Sequence, residues 1–270
     1  MSKPLPVAAP RKADRRIAPA PRRRDRALED AIAGDRIAIR FQPQFEPATG
    51  RITGVEALAR WDGESCAAQM FGRAARGGLH ERLSRFAQRK ALRIAGAWGP
   101  PLDGLNLSIN LVAEDLASAD YDRWLLAEIA AAGLAPDRVT VEITESSLLA
   151  DQALAAKRLG RLRAAGVRIA VDDFGTGYAS MAWLTSLPLD TLKIDRGLVA
   201  DLVAGKRDRI VVRAMIALAQ ELNLKVVVEG VETAGQLALL AEWGCDLYQG
   251  FLGSAALTED ELTQFVLRAA

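Results

Sequence analysis

The chain of 270 residues predicts an α/β fold, a modified (β/α)8 TIM-like barrel whose first strand runs antiparallel to the second. Three observations lead there. Short apolar runs of strand length alternate with amphipathic stretches of helical period, the pattern of parallel strands covered by helices. There are eight such runs, the number that closes a sheet of this kind on itself. The first two runs are joined by about seven residues, Phe45 to Arg51, too few for a parallel crossover, which needs a dozen or more.

In chain order the expected strands are Arg36–Gln44, Ile52–Trp61, Leu105–Leu111, Val139–Thr144, Arg168–Asp173, Thr191–Asp195, Lys225–Glu229 and Leu247–Phe251. The first pair reads as a hairpin around Pro47, Thr49 and Gly50, residues suited to a turn. Helical stretches fill the intervals between later strands. One carries Val211, Met215, Leu218 and Leu222 at spacings of four, three and four, which predicts a buried stripe. Period two sorts the strand residues by face. Val139, Val141 and Ile143 are expected against the helices, with Thr140 and Glu142 toward the barrel axis. Leu192 and Ile194 likewise point out and leave Lys193 and Asp195 inside.

Half the residues are hydrophobic and the mean hydropathy is +0.06, which describes a globular protein with one large core. No apolar run has membrane-span length, and the first residues carry no apolar block of signal-peptide kind. Cys66 and Cys245 are too few for a disulfide framework and too far apart for a zinc knuckle, so a cytoplasmic location is expected. The net charge of +1 is unevenly spread. Residues 1–26 hold nine Lys or Arg against two Asp, a charge of +7, which leaves −6 for the rest. This Pro/Ala-rich stretch reads as a disordered, solubilising tail, with contact to nucleic acid or anionic membrane as the lesser alternative. Residues 27–270 form the barrel domain.

Charged and polar residues recur where the strands end. Asp172 and Asp173 close an apolar run and are followed by Phe174-Gly175-Thr176-Gly177-Tyr178. Adjacent strand residues face opposite ways, so both carboxylates point inward only if the strand ends between them. Two such anions resist joint ionisation unless a cation neutralises them, and the glycines beyond would let backbone N–H groups turn toward a phosphate. An isolated Asp pair would be better explained as a helix cap. Here it has company: Glu56 and Arg60 on the second strand, Asn110, Glu142, Lys193, Glu229 and Gln249. In a barrel these positions converge on the C-terminal face.

A ring of buried carboxylates without a cation would be very costly. Carboxylates with an Asn carbonyl suit hard cations, Mg²⁺ or Mn²⁺, and the number of acids suggests two ions. The single histidine, His80, falls outside the ring, which argues against a histidine-rich zinc or iron site. Lys193 and Arg60 could neutralise phosphoryl oxygens or orient a nucleophile, or Lys193 could simply pair with Asp195.

Taken in order, these residues resemble the EAL-domain family of bacterial cyclic-di-GMP phosphodiesterases. The resemblance is carried by Phe41-Gln42-Pro43, Glu56-Ala57-Leu58-Ala59-Arg60-Trp61, Asn110, Glu142-Ile143-Thr144-Glu145-Ser146, the Asp172 to Tyr178 stretch, Lys193-Ile194-Asp195, Glu229-Gly230-Val231-Glu232 and Gln249-Gly250. It implies the barrel with an antiparallel first strand and hydrolysis of one phosphodiester of cyclic di-GMP to the linear dinucleotide pGpG. By motif, Glu56, Asn110, Glu142, Asp172, Asp173 and Glu229 look like the metal shell. Lys193 looks like the residue that positions or activates the attacking water, with Glu229 and Glu56 completing the catalytic set. Gln42, Leu58, Arg60, Glu232 and Gln249 match substrate-side or supporting positions, and Glu145 matches an anchor for the loop from Phe174 to Tyr178. A homodimer is implied. No second domain of cyclase or sensory type fits the length, so regulation is expected from a partner protein, the tail, expression or dimer state.

Two stretches depart from the family pattern. Residues 62–80 look shortened where a His-Pro and a Phe-Ile-Pro segment are usual, and Arg76 stands where an acid is common. Ala255 and Ala256 replace a usual proline. The first departure flanks the expected substrate cleft, which leaves a second reading: a catalytically weak relative that binds cyclic di-GMP and signals through a protein partner.

Overall fold

The computed structural model describes residues 24–62, 67–144, 147, 151–175 and 181–269. Helix α1 (Arg26–Ala33) precedes the first strand and buries Leu28, Ala31 and Ile32; it is N-capped by Asp25, whose side chain accepts from the Leu28 N–H. Arg73 of α2 (Ala67–Gly77) donates to the same Asp25 at 2.9 Å and lies 4.9 Å from the centre of the Trp61 ring. The chain then forms the hairpin of β1 (Ile37–Phe45) and β2 (Ile52–Trp61), paired antiparallel with Gln42 opposite Glu56. The short first connection gives the geometry it predicts.

From β2 onward the pairing is parallel. The order is β3 (Asn106–Leu111), β4 (Val139–Thr144), β5 (Arg168–Phe174), β6 (Thr191–Ile194), β7 (Lys225–Val228) and β8 (Leu247–Tyr248), and the sheet closes β1 to β8. Strand β1 is antiparallel to both neighbours, meeting β8 at Phe45 opposite Tyr248. Around the barrel lie α3 (His80–Gly96), α4 (Ala113–Ala117), α5 (Tyr121–Ala131), α6 (Gln152–Ala164), α7 (Met181–Ser186), α8 (Arg196–Val199), α9 (Lys206–Glu221), α10 (Ala234–Glu242) and α11 (Glu259–Ala269). No helix among the described residues is long and apolar enough to cross a membrane.

The apolar layer between strands and helices forms one core. Val139, Val141, Ile143, Leu192, Ile194, Val226 and Val228 are fully buried in it. Glu142 and Lys193, at the alternate positions, meet in the barrel interior as period two requires. Two expectations change. In α9 the buried stripe is Val212, Met215, Ile216 and Ala219, and Val211 is 44% exposed. Two adjacent valines satisfy either of two helical stripes, and only the docking of the helix chooses between them. Strand β8 is also shorter than Leu247–Phe251. Beyond it the chain turns and Leu257 exchanges both backbone hydrogen bonds with Phe41 at 2.8 Å, covering β1 where β8 stops. In the departing stretch, α2 and the start of α3 form a wall beside the barrel mouth. Residues 63–66 lie outside the described residues, as do Glu145, the segment 176–180 and the tail up to residue 23.

Candidate metal and substrate site

Strand ends place the acids. Parallel register sets Asn110 beside Glu142 and Thr144 beside Asp172, so consecutive strands deliver their last polar residues to one mouth. Asp172 and Asp173 share that mouth by a route other than the expected strand end. Strand β5 continues to Phe174, but its pairing with β6 shifts between Val171 and Phe174, and Asp173 adopts φ 55°. A residue in the left-handed region breaks the alternation of faces, and Asp is among the few side chains that tolerate it. The Asp173 N–H donates to Asp172 Oδ1 at 2.9 Å.

Lys193 lies at the centre, fully buried. Its Nζ is 2.6 Å from Glu142 Oε2, 2.7 Å from Glu229 Oε1, 3.1 Å from Asp172 Oδ1 and 3.5 Å from Glu56 Oε2. Asp195, its alternative partner by sequence, instead caps α8 through the Gly197 N–H. Burial alone would weaken the charge of Lys193, but Asp172, Glu142, Glu229 and Glu56 outweigh it and hold the ammonium well above the usual lysine value.

One ammonium does not balance this many acids. Burial, with repulsion from Asp172 and Asp195, pushes Asp173 up to about 6. Burial lifts Glu229 to about 7, against the pull of Lys193. Glu56 goes the other way. Burial opposes its charge, yet Lys193 and amide hydrogen bonds from Gln249 and Asn110 keep its carboxyl low. Asn110 Nδ2 donates to Glu56 Oε1 and Gln249 Nε2 to Glu56 Oε2, each at 2.7 Å.

The donor set fits a hard cation. One carboxylate oxygen from each of Asp172, Asp173 and Glu229 lies within 4.8 Å of the others, and surplus negative charge faces the cleft. The cleft, about 820 Å³, is lined by Glu56, Asn110, Asp172, Asp173 and Glu229, while Lys193 and Glu142 lie beneath its floor. The five residues expected on the substrate side, Gln42, Leu58, Arg60, Glu232 and Gln249, all line it. Gly230 turns the chain sharply after Glu229. Its φ is 68°, and a Cβ there would stand 3.0 Å from Arg196 Cα.

Sequence reasoning missed other parts of this site. Gln44, 5% exposed, donates to Gln249 Oε1 at 3.3 Å, and Gln249 donates to Gln42 Oε1 at 3.2 Å, an amide chain behind Glu56. Alternation along β1 puts Gln42 and Gln44 on one face, the only signal in the sequence for this. Phe251 is 71% exposed at the cleft rim. His80 also lines the cleft, its Nδ1 2.8 Å from Glu114 Oε2 and its ring edge-on to Phe71.

A closed (β/α)8 barrel with one antiparallel strand gathers carboxylates and a buried lysine at its C-terminal mouth, which defines a TIM-like barrel protein with an acidic cleft. More narrowly, the chain belongs to the EAL domain family, whose family model matches residues 25–256. It is 37% identical over 249 residues to the cyclic di-GMP phosphodiesterase NbdA of Pseudomonas aeruginosa, covering 88% of this chain and 31% of that protein. It is 39% identical over 245 residues to an uncharacterized protein of Azorhizobium caulinodans, covering 87% and 33%. The chain thus spans about a third of the length of these curated relatives. Among solved structures it is similar to the phosphodiesterase PaMucR in complex with c-di-GMP, with a TM-score of 0.82, 33% identity and coverage of 88% of this chain and 98% of that one. It is also similar to Klebsiella pneumoniae BlrP1 in a manganese and cyclic di-GMP complex, with a TM-score of 0.75, 33% identity and coverage of 83% and 56%.

Proposed function

We propose that this chain is a divalent-metal-dependent phosphodiesterase that opens one ester of cyclic di-GMP to give linear pGpG. The observation that carries the reading is the convergence of Glu56, Asn110, Glu142, Asp172, Asp173 and Glu229 around Lys193 in a cleft whose relatives include a c-di-GMP complex. Asn110 and the carboxylates would hold Mg²⁺ or Mn²⁺, and two ions suit the number of acids. When bound, such ions polarise a phosphoryl oxygen and make water a competent nucleophile at neutral pH.

The chain's own groups do the rest. Lys193 fixes four carboxylates at once and supplies the positive charge nearest the reaction, so we assign it the orientation of the attacking water. Gln249 and Asn110 hold both oxygens of Glu56, which keeps that carboxylate in a single orientation. Arg60 offers a guanidinium to the outer phosphate side of the cleft, and Leu58 with Phe251 offers apolar surface on which a guanine stacks. Water adds at phosphorus, the bond to the 3′ oxygen breaks, and the product keeps a 5′-phosphate and gains a 3′-hydroxyl.

We further assign the protein to the cytoplasm, as a homodimer open to regulation by a partner protein, with the residues ahead of α1 as a solubilising tail, which the capping of α1 by Asp25 ends short of the expected residue 26, and Glu145 as the loop anchor. Incubation with cyclic di-GMP and Mg²⁺ or Mn²⁺, with chromatographic resolution of products, tests the activity. Linear pGpG is expected. Tight binding with no linear product would replace the enzyme reading with that of a nucleotide-binding sensor.

A further inference from the structure

Four polar side chains are buried together in the wall behind β3, beside the cleft that Gln88 also lines. Ser84 and Gln88 of α3, Asp115 of α4 and Tyr121 of α5 are each 2% exposed or less. Buried polar groups cost stability unless every one is paired, and apolar residues would fill the same wall more cheaply. What these groups hold explains their presence. Gln88 Nε2 donates to the backbone carbonyl of Asn110 at 2.9 Å and shares its protons with Ser84 Oγ at 2.9 Å and Asp115 Oδ2 at 3.1 Å. The Tyr121 hydroxyl donates to Gln88 Oε1 at 3.0 Å, which fixes the amide with its nitrogen toward Asn110. Ser84 Oγ donates to Asp115 Oδ2 at 2.6 Å, and the same oxygen accepts the Val112 N–H at 3.0 Å.

The network therefore grips the chain on both sides of Leu111: the carbonyl of Asn110 through Gln88, and the N–H of Val112 through Asp115. This is where β3 loses one of its two neighbours: pairing with β2 stops at Ala57 opposite Ile109, while pairing with β4 runs on to Leu111. Asn110 is the residue whose amide orients Glu56 at 2.7 Å. Gln88 supplies the hydrogen bond to the Asn110 carbonyl on the side where β2 no longer pairs, which keeps that side chain from wandering.

We propose that Gln88 is a positioning residue for the Asn110–Glu56 edge of the cation site. The inference rests on the reading of Asn110 and Glu56 as cation-holding residues. It requires that loss of the Gln88 amide weaken cation binding more than it weakens the fold.

The test uses the nucleotide-free protein and Mn²⁺ alone. Mn²⁺ affinity is measured by calorimetry, beside thermal melts and turnover across Mn²⁺ concentrations. Gln88→Leu keeps the volume and removes the amide. It should weaken Mn²⁺ binding about tenfold or more, the usual effect of removing a group that orients a ligand. Turnover should recover at saturating Mn²⁺. Tyr121→Phe removes only the hydroxyl that turns the amide and should weaken Mn²⁺ binding by a smaller factor, so it serves where Gln88→Leu does not fold. Unchanged Mn²⁺ affinity in the folded variants, with affinity lost in Asn110→Ala, would overturn the role of Gln88 and leave the site reading intact. Unchanged affinity in Asn110→Ala and Glu56→Ala as well would overturn the site reading itself.

Discussion

Lys193 Nζ donates to Glu142 Oε2 at 2.6 Å in a part of the barrel where both side chains are 1% exposed. The pair is the base of the acidic cluster, and it makes that cluster tolerable to the fold. Removing one partner from a buried ionic group leaves the others uncompensated, which costs about 3–5 kcal/mol. Lys193→Met is accordingly expected to lose turnover and to unfold at markedly lower denaturant in EDTA, with part of the stability returning on addition of Mn²⁺. A variant as stable as the parent in EDTA would show that the acids do not depend on the lysine.

Glu56 touches Asn110, Gln249 and Lys193 together. Glu56→Ala removes a cation-holding group and leaves the amides of Asn110 and buried Gln249 without that acceptor. Turnover should fall by at least about a thousandfold, on the scale of losing a group that stabilises charge in the transition state. Steady-state product formation checks this, and retained activity would exclude Glu56 from the site.

Glu229 at about 7 and Asp173 at about 6 hold protons near neutrality when only Lys193 balances them. A cation competes with those protons, so its affinity rises with pH between 6 and 8 and its binding releases protons. Affinity should change by about tenfold per pH unit for each proton displaced. Calorimetry in buffers of different ionisation enthalpy counts the protons, and an affinity flat across this range would contradict the prediction.

Asp115 is pushed up to about 6, chiefly by burial, against hydrogen bonds from Ser84, Val112 and Gln88 and the pull of Arg85. Its Oδ1 has no hydrogen-bond partner among the described residues and stands 3.9 Å from Arg85 Nε. A carboxyl whose folded value lies above its unfolded value binds more protons in the native state. Its contribution to stability is therefore present at low pH and is lost as pH rises from about 4 through about 6. The parent should gain on Asp115→Asn by up to about 3 kcal/mol between pH 7.5 and pH 4, at 1.36 kcal/mol per unit. Melts of the two proteins across pH show it, and parallel curves would mean that Asp115 titrates at its ordinary value.

Phe251 presents most of its ring to solvent, so Phe251→Ala should leave the melting temperature unchanged. Stacking on a base contributes about 1–3 kcal/mol, and the KM for cyclic di-GMP should rise about tenfold with little change in kcat. An unchanged KM would remove Phe251 from the substrate surface.

Much of the barrel was legible because its signals are local. Strand β4 alternates Val139, Val141 and Ile143 with Thr140 and Glu142, and that alternation alone places Glu142 inside. The hairpin followed from chain length, since Phe45 to Arg51 cannot cross a barrel. Other features left no local trace. Val211 and Val212 offered two equivalent stripes, and the shift in β5 that turns Asp173 toward Asp172 depends on its pairing with β6.

The sequence by itself determined the eight strands, the direction of the first and the identity of the residues at their ends, because period and connection length act over a few neighbours. Only the tertiary structure decided which of those residues touch. Lys193 and Glu142 are 51 positions apart, and Gln249 reaches Glu56 across 193. Such contacts are set by how a closed sheet brings distant strand ends to one mouth. For the same reason, the clamp of Gln88 on Asn110 becomes visible only once α3 is packed against β3.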